Sequence, residues 1–231
     1  SALYKKNIPI DIIGVNDDFS SYKLVIAPLL YMIKDDFDER LRRYVSGGGT
    51  FITTYFSGLV NDCDLVTGAY PGKLKDILGI WVEEQDALLE NEKNSFIFNG
   101  KRYPAGIICD IMHTEGAKAL SCYESDFYKD TPVITENIFG RGRAYYVGSR
   151  SDEEFYSDFL SYVCSETGVE PVIHTPNGVE AALRVNDKGR FLFLINHSSE
   201  NREVVMPFDA FDLLNEVDVK EGATVLLVGK D

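Results

Sequence analysis

Tyr22-Lys23-Leu24-Val25-Ile26-Ala27-Pro28, then Phe37-Asp38-Glu39-Arg40-Leu41-Arg42-Arg43-Tyr44-Val45-Ser46, then Gly47-Gly48-Gly49-Thr50-Phe51-Ile52-Thr53-Thr54-Tyr55: these three runs decide the fold. Residues 23–27 are nearly all apolar, the pattern of a strand covered on both faces, and Pro28 ends it. Phe37, Leu41, Tyr44 and Val45 fall on one face at helical spacing, with Asp35 or Asp36 placed to cap the first turn. Asp38 and Glu39 precede Arg40, Arg42 and Arg43, an order that suits the helix dipole. One of the three glycines then takes the left-handed conformation that ends a helix. Residues 50–55 are β-branched and aromatic, so a second strand follows. A crossover this short predicts parallel pairing and a right-handed connection.

On the N-terminal side, residues 8–13 are predicted as a short strand closed by Gly14. On the C-terminal side, residues 74–78 form a short helix ending at Gly79. Residues 81–130 carry short strand-like runs at 95–98 and 106–110, with Asn99-Gly100 as a hairpin turn. Residues 132–137 and 142–148 read as the last strand pair of a first domain. Ser151-Asp152-Glu153-Glu154 is predicted as a capping box in which Ser151 and Glu154 satisfy each other's backbone donors. The helix it opens places Phe155, Phe159, Leu160 and Val163 on one face and stops at Gly168. After Pro171 the texture is all-β. Residues 180–186 alternate with Ala181, Leu183 and Val185 on one face, Asp187-Lys188-Gly189 turns, and residues 191–195 return. Residues 203–206 and 224–228 add strands. The expected domains are 1–170, α/β, and 171–231, a small antiparallel β-domain.

The 231 residues are 45% hydrophobic, enough to bury a substantial core. A net charge of −14 argues against binding nucleic acid or an anionic membrane surface, since both need clustered Lys and Arg. The four cysteines, Cys63, Cys109, Cys122 and Cys164, are widely spaced and lack zinc-ligand spacing, so no metal and no cofactor are expected. Such usage fits a reducing, cytoplasmic compartment. No apolar run approaches the roughly 18 residues that span a bilayer, and no leader pattern is visible. A start at Ser1-Ala2 without methionine is what an excised piece would have.

Amidotransferase-like α/β domains carry a cysteine on a strained strand-to-helix turn after the third strand. Here that place holds Tyr55-Phe56-Ser57-Gly58-Leu59. Ser57 is a candidate nucleophile, but a Gly-x-Ser-x-Gly elbow needs glycine where Tyr55 and Leu59 stand. No Glu or His at an expected spacing completes a triad, so no catalytic residue is assigned. Cys63 lies between Asp62 and Asp64, the opposite of a nucleophile's electropositive setting. Glu83, Glu84, Asp86, Glu90 and Glu92 form an acidic cluster on a polar, loop-like segment. Paired carboxylates hydrolyse glycosides only across a sugar in a cleft, and this cluster reads as a solvated face. His113 with Asp110 or Glu115 supplies two metal ligands without a third, and reads as a surface histidine. His174 and His197 read as ordinary polar positions. Gly140-Arg141-Gly142-Arg143 precedes a strand, not a helix, so it is a tight turn and not a phosphate loop.

Residues 22–28, the helix ending in Gly47-Gly48-Gly49-Thr50, Tyr70-Pro71-Gly72 with Leu78-Gly79-Ile80, and residues 142–148 together resemble the trimerisation domain of glycoside hydrolase family 42 β-galactosidases. Residues from Gly178 onward resemble that family's small C-terminal β-domain. The resemblance covers essentially the whole chain. It implies an amidotransferase-like (flavodoxin-like), mostly parallel sheet with helices on both faces, without its nucleophile, followed by a small antiparallel β-domain. It implies a parent that hydrolyses terminal β-D-galactosides with retention, using two glutamates on an N-terminal (β/α)8 barrel. A barrel of about 250 residues has no room here, so neither glutamate maps to a position in this sequence. The family's cysteine zinc site, where present, belongs to that barrel too. Its implied partners are two further copies, in a homotrimer through the first domain, and the parent's barrel. The loop 56–72, with Phe56, Tyr70 and Pro71, is then expected either at a subunit contact near a neighbour's sugar cleft or merely packed on its own domain. The rival is a stand-alone amidotransferase-like enzyme or sugar-binding module.

Overall fold

A computed structural model describes residues 2–66, 68 and 70–229. Thr67 and Ala69, inside the loop 56–72, lie outside the described residues. The chain divides into two compact units, residues 13–156 and residues 1–12 with 157–231.

The first unit runs β1 (Leu24–Ala27), α1 (Phe37–Ser46), β2 (Thr50–Thr54), α2 (Lys75–Leu78), β3 (Ile80–Ala87), β4 (Asn94–Phe98), β5 (Lys101–Thr114), β6 (Lys118–Cys122), β7 (Pro132–Phe139), β8 (Gly142–Val147) and β9 (Ser149–Arg150), and reaches into α3 (Glu153–Thr167). One sheet has the order β1-β2-β8-β7-β6. Val25 pairs with Phe51 and Phe51 with Ala144, in parallel. The sheet is mixed, not mostly parallel. The reason is local: only Gly140 and Arg141 separate β7 from β8, and a two-residue turn leaves room for antiparallel pairing alone. β6 then adds antiparallel to β7. β1 is an edge strand, and its four residues are half-buried where full cover was expected, while all five residues of β2 are buried.

Leu41, Tyr44 and Val45 of α1 pack with Ile77 and Leu78 of α2, Phe51 of β2 and Ala144 and Tyr146 of β8 in one core cluster. Alternation along a strand puts Phe51, Ala144 and Tyr146 on the same side of the sheet, so both helices cover that side. Asp36 is the residue before α1, as expected, but its carboxylate binds Arg40 Nε at 3.0 Å and makes no cap bond. Gly48, at φ +117°, supplies the predicted positive-φ residue.

A second sheet has the order β3-β5-β4. Asn99 and Gly100, at φ +49° and +80°, form the predicted hairpin turn between β4 and β5. The run at 106–110 is part of one 14-residue strand. Ile107, at φ +67°, bends it, so that Lys101–Ala105 pair with β4 and Ile108–Thr114 with β3. The acidic segment is not a loop either: Glu83, Glu84 and Asp86 lie on β3, an edge strand whose outward face tolerates charge. Ahead of α3, the capping box is replaced by a simpler cap. Phe155 N donates to Asp152 Oδ1 at 2.9 Å, Ser151 Oγ donates to the Pro104 carbonyl at 2.6 Å, and Glu154 pairs with Lys101. Helix α3 begins at Glu153, so Asp152 and not Ser151 is the residue just outside it. Phe155, Phe159 and Val163 are buried as predicted, Leu160 is half-buried, and Gly168 at φ +61° ends the helix.

In the second unit, residues 8–12 form no strand, and neither does Ile13. Pro9 has no N–H to give a ladder. Asn7 does the anchoring: its Nδ2 donates to Thr175 Oγ1 at 2.6 Å, its Oδ1 accepts from Ala181 N at 2.9 Å, and its carbonyl accepts from Val172 N at 3.0 Å. Three antiparallel pairs follow: β10 (Val179–Asn186) with β11 (Gly189–Asn196), β12 (Arg202–Val205) with β15 (Thr224–Leu227), and β13 (Ala210–Asp212) with β14 (Val217–Val219). Asn186 faces Gly189 across the predicted turn. Val179, Ala181, Val204 and Ile173 form its small core. Val185 lies out in solvent, so the expected apolar face covers only the first half of β10.

Candidate functional site

The carboxyl ends of β2 and β8 are where an α/β domain of this kind carries chemistry. β2 leaves the sheet at Thr54, and Tyr55 N still bonds the Val147 carbonyl at 2.9 Å. The next residue, Phe56, sits at φ +62°, a conformation that costs a β-carbon-bearing residue of the L series roughly 1–2 kcal/mol. Positive φ is the mark of a nucleophile elbow, and here it falls on Phe56, one residue before the Ser57 that sequence reasoning had centred. Phe56 is half-buried with its ring 5.7 Å from that of Tyr55. Gly58 follows at φ +75°, and a Cβ there would lie 2.3 Å from the Pro71 carbonyl oxygen. The two ends of the loop 56–72 therefore touch at a point that only glycine permits.

Ser57 is fully buried. Its Oγ accepts from Leu30 N at 2.9 Å and lies 2.6 Å from Thr53 Oγ1, which in turn donates to the Ala27 carbonyl. These partners tie the loop after β1 to the loop after β2, and none of them is a base.

The Tyr70–Pro71 peptide is cis, Pro71 is buried, and the Tyr70 ring turns inward. Its hydroxyl is 2.6 Å from Tyr146 Oη and 3.2 Å from Asp110 Oδ2. Tyr146 Oη donates to the same oxygen at 2.5 Å, and Gln85 Nε2 to Asp110 Oδ1 at 2.7 Å. Asp110 has no exposed surface, and burial pushes its carboxyl up to about 6 against the opposing pull of the hydrogen bonds from Tyr146 and Gln85. Burial and the neighbouring carboxylate push the Tyr70 and Tyr146 hydroxyls up as well. Tyr70 and Asp110 are 40 residues apart, and neither Gln85 nor Tyr146 stands out in the sequence. The available signal was Asp110 itself, an acid inside an otherwise apolar strand.

His113 is drawn elsewhere. Its Nε2 lies 2.7 Å from Glu83 Oε2 and its ring stacks on Trp81 at 4.4 Å, while Glu115 pairs with Lys75 at 3.0 Å. His113, Asp110 and Glu115 are thus not brought together, and among the described residues no group of three His, Cys, Asp or Glu side chains is placed to hold a metal ion. Among the described residues no helix is long and apolar enough to cross a membrane.

Comparison with known proteins fits this arrangement. A family model described as the β-galactosidase trimerisation domain matches residues 1–170, and one described as the β-galactosidase C-terminal domain matches residues 178–229. β-Galactosidase BgaP of a Planococcus species is 50% identical over 206 residues, which is 86% of this chain and 30% of that protein. β-Galactosidase LacA of Lactobacillus acidophilus is 45% identical over 211 residues, 90% of this chain and 32% of that protein. The crystal structure of a β-galactosidase from Bacillus circulans sp. alkalophilus superposes with a TM-score of 0.92 at 45% identity, covering 99% of this chain and 35% of that one. The chain spans about a third of the length of these relatives.

Proposed function

The chain belongs to the glycoside hydrolase family 42 β-galactosidases, and from that premise we propose that it is a non-catalytic assembly region of such an enzyme. Residues 1–170 gather three subunits, and residues 171–231 form an accessory β-domain. The observation that carries this reading is the turn after β2: its positive-φ residue is Phe56, which is no nucleophile, and the adjacent Ser57 is buried among structural partners. A closed three-fold ring needs a heterologous contact, one patch of each copy against a different patch of the next. The loop 56–72 supplies one such patch and lies near a neighbour's sugar cleft. Phe56 meets the neighbour, while Tyr70 and Pro71 hold the loop from inside.

The parent enzyme hydrolyses terminal β-D-galactosides with retention, through two glutamates on a barrel outside these residues. Four free cysteines suit a reducing cytoplasmic setting. Light scattering after size exclusion tests the assembly. The expected mass is three times 25.9 kDa. A strict monomer at high concentration overturns self-sufficient trimerisation, and turnover of an aryl β-galactoside by the pure chain overturns the non-catalytic role.

A further inference from the structure

Three oxygens meet beside the end of β8: Tyr70 Oη, Tyr146 Oη and Asp110 Oδ2. They are separated by 2.6 Å (Tyr70 to Tyr146), 2.5 Å (Tyr146 to Asp110) and 3.2 Å (Tyr70 to Asp110). The second carboxylate oxygen is already occupied by Gln85 Nε2 at 2.7 Å. A triangle of oxygens at hydrogen-bonding distance takes one proton per edge, and two phenols bring only two. With Asp110 ionised, Tyr146 donates to Asp110 and Tyr70 to Tyr146, so the longest edge, Tyr70 to Asp110, is left without a proton. A proton on Asp110 Oδ2 completes the ring: Asp110 donates to Tyr70, Tyr70 to Tyr146, and Tyr146 back to Asp110.

We propose that Asp110, Tyr70 and Tyr146 form a proton-operated latch, which fastens the loop 56–72 to β5 and β8 when Asp110 is protonated and loosens it when Asp110 ionises. The groups around Asp110 are consistent with this. Gln85 faces it from β3, Tyr146 from β8 and Tyr70 from the loop. Tyr123 Oη donates to its backbone carbonyl at 3.3 Å, and Tyr55, at the end of β2, feels both Asp110 and Arg150 of β9. Among the described residues no cation meets Asp110's carboxylate oxygens, only two phenols and an amide, so the cost of burying the charge is offset only in part. Burial raises the carboxyl from 3.8 to about 6. For an acid raised in the folded state, the stabilising contribution is complete below the unfolded value and is lost as pH rises through the folded one. The latch is therefore closed in mild acid and open above neutrality. It does not depend on the chain assembling as a trimer.

The test is a carbon-13 titration of the chain labelled at aspartate and tyrosine, with urea unfolding of wild type, Asp110→Asn and Tyr70→Phe at pH 4.5 and 7.5. Asp110 Cγ should titrate near pH 6, and Tyr70 Cζ should move with the same midpoint. The unfolding constant of wild type relative to Asp110→Asn should rise on the order of thirty-fold between the two pH values. Tyr70→Phe removes the acceptor of the third proton and should move the Asp110 midpoint down. An upward move would make Tyr70 a mere donor to the carboxylate and overturn the latch. Should Tyr70→Phe fail to fold, the wild-type titration still decides. Asp110 titrating in the ordinary carboxylate range, or a Tyr70 signal that does not follow it, also overturns the proposal.

Discussion

Gly142 stands so close to Val45 that a Cβ on residue 142 would lie 2.1 Å from the Val45 carbonyl oxygen, and 2.2 Å from that of Gly49. The turn between β7 and β8 is thus seated on the end of α1, where helix carbonyls lack partners within the helix. Arg141 N takes the Ser46 carbonyl at 3.1 Å, Arg141 Nη2 that of Gly47 at 2.9 Å, and Arg143 N that of Gly49 at 3.2 Å. Replacing Gly142 with alanine pushes this seat apart. The expected cost is about 1–3 kcal/mol, measured as a lower urea midpoint with unchanged slope. A variant as stable as the parent would mean that the hairpin does not rest on α1.

The cap of α3 makes a second, sharper comparison. A capping box at Ser151 and Glu154 predicts that removing either side chain frees a backbone donor. The cap at Asp152 predicts something else: Asp152→Ala should cost about 1 kcal/mol, because Phe155 N loses its partner. Glu154→Ala should be nearly neutral, since its carboxylate forms an exposed ion pair with Lys101. Urea unfolding of the two variants side by side decides which residue caps.

Asn7 gives the third prediction. At φ +55° it occupies a conformation that asparagine tolerates better than most residues, and its side chain both donates to Thr175 and accepts from Ala181. Asn7→Ala strands the buried Ala181 amide and should destabilise the unit it belongs to by about 1–3 kcal/mol. Asn7→Asp keeps the acceptor and loses the donor, so it should cost less. Amide exchange at Ala181 reports this directly: protection should fall in Asn7→Ala and largely persist in Asn7→Asp.

These residues also show what a sequence can and cannot disclose. The turns were legible because each rests on a local requirement: Asn99-Gly100, Gly140-Arg141 and Asp187-Lys188 all mark hairpins that the structure contains. Helix α1 was legible because Phe37, Leu41, Tyr44 and Val45 repeat at its period and are all buried. β3 was hidden because Glu83 and Glu84 are exposed on an edge strand at a register shift and Asp86 is only half-buried, so that charge erases the alternation that marks a strand. Residues 8–13 looked like a strand by composition alone, yet pairing needs an open edge and an N–H that Pro9 lacks. The direction of β7 depended on the length of one turn, which a glance at strand-helix-strand order overlooks. The contacts of Asp110 escaped for a different reason: its partners come from positions 70, 85 and 146, and no local pattern couples them. What the sequence did carry was a turn after β2 without a nucleophile motif, and the backbone puts the positive φ of that turn at Phe56.

That position yields the last prediction, in which stability and assembly should part. Glycine at 56 relieves a positive φ that costs a phenylalanine roughly 1–2 kcal/mol, and loses a similar amount of freedom on folding, plus the ring contact with Tyr55. The chain's urea midpoint should therefore change little, by about 1 kcal/mol or less in either direction. If Phe56 meets a neighbouring copy, the same substitution removes an aromatic anchor from the contact, and sedimentation should show the trimer dissociating at a concentration about tenfold higher or more. A residue retained for its own domain would behave in the reverse way, with the midpoint falling and assembly intact. Strain is kept at a site when something outside the local fold rewards it, and here the candidate reward is the ring of Phe56 presented to the next subunit.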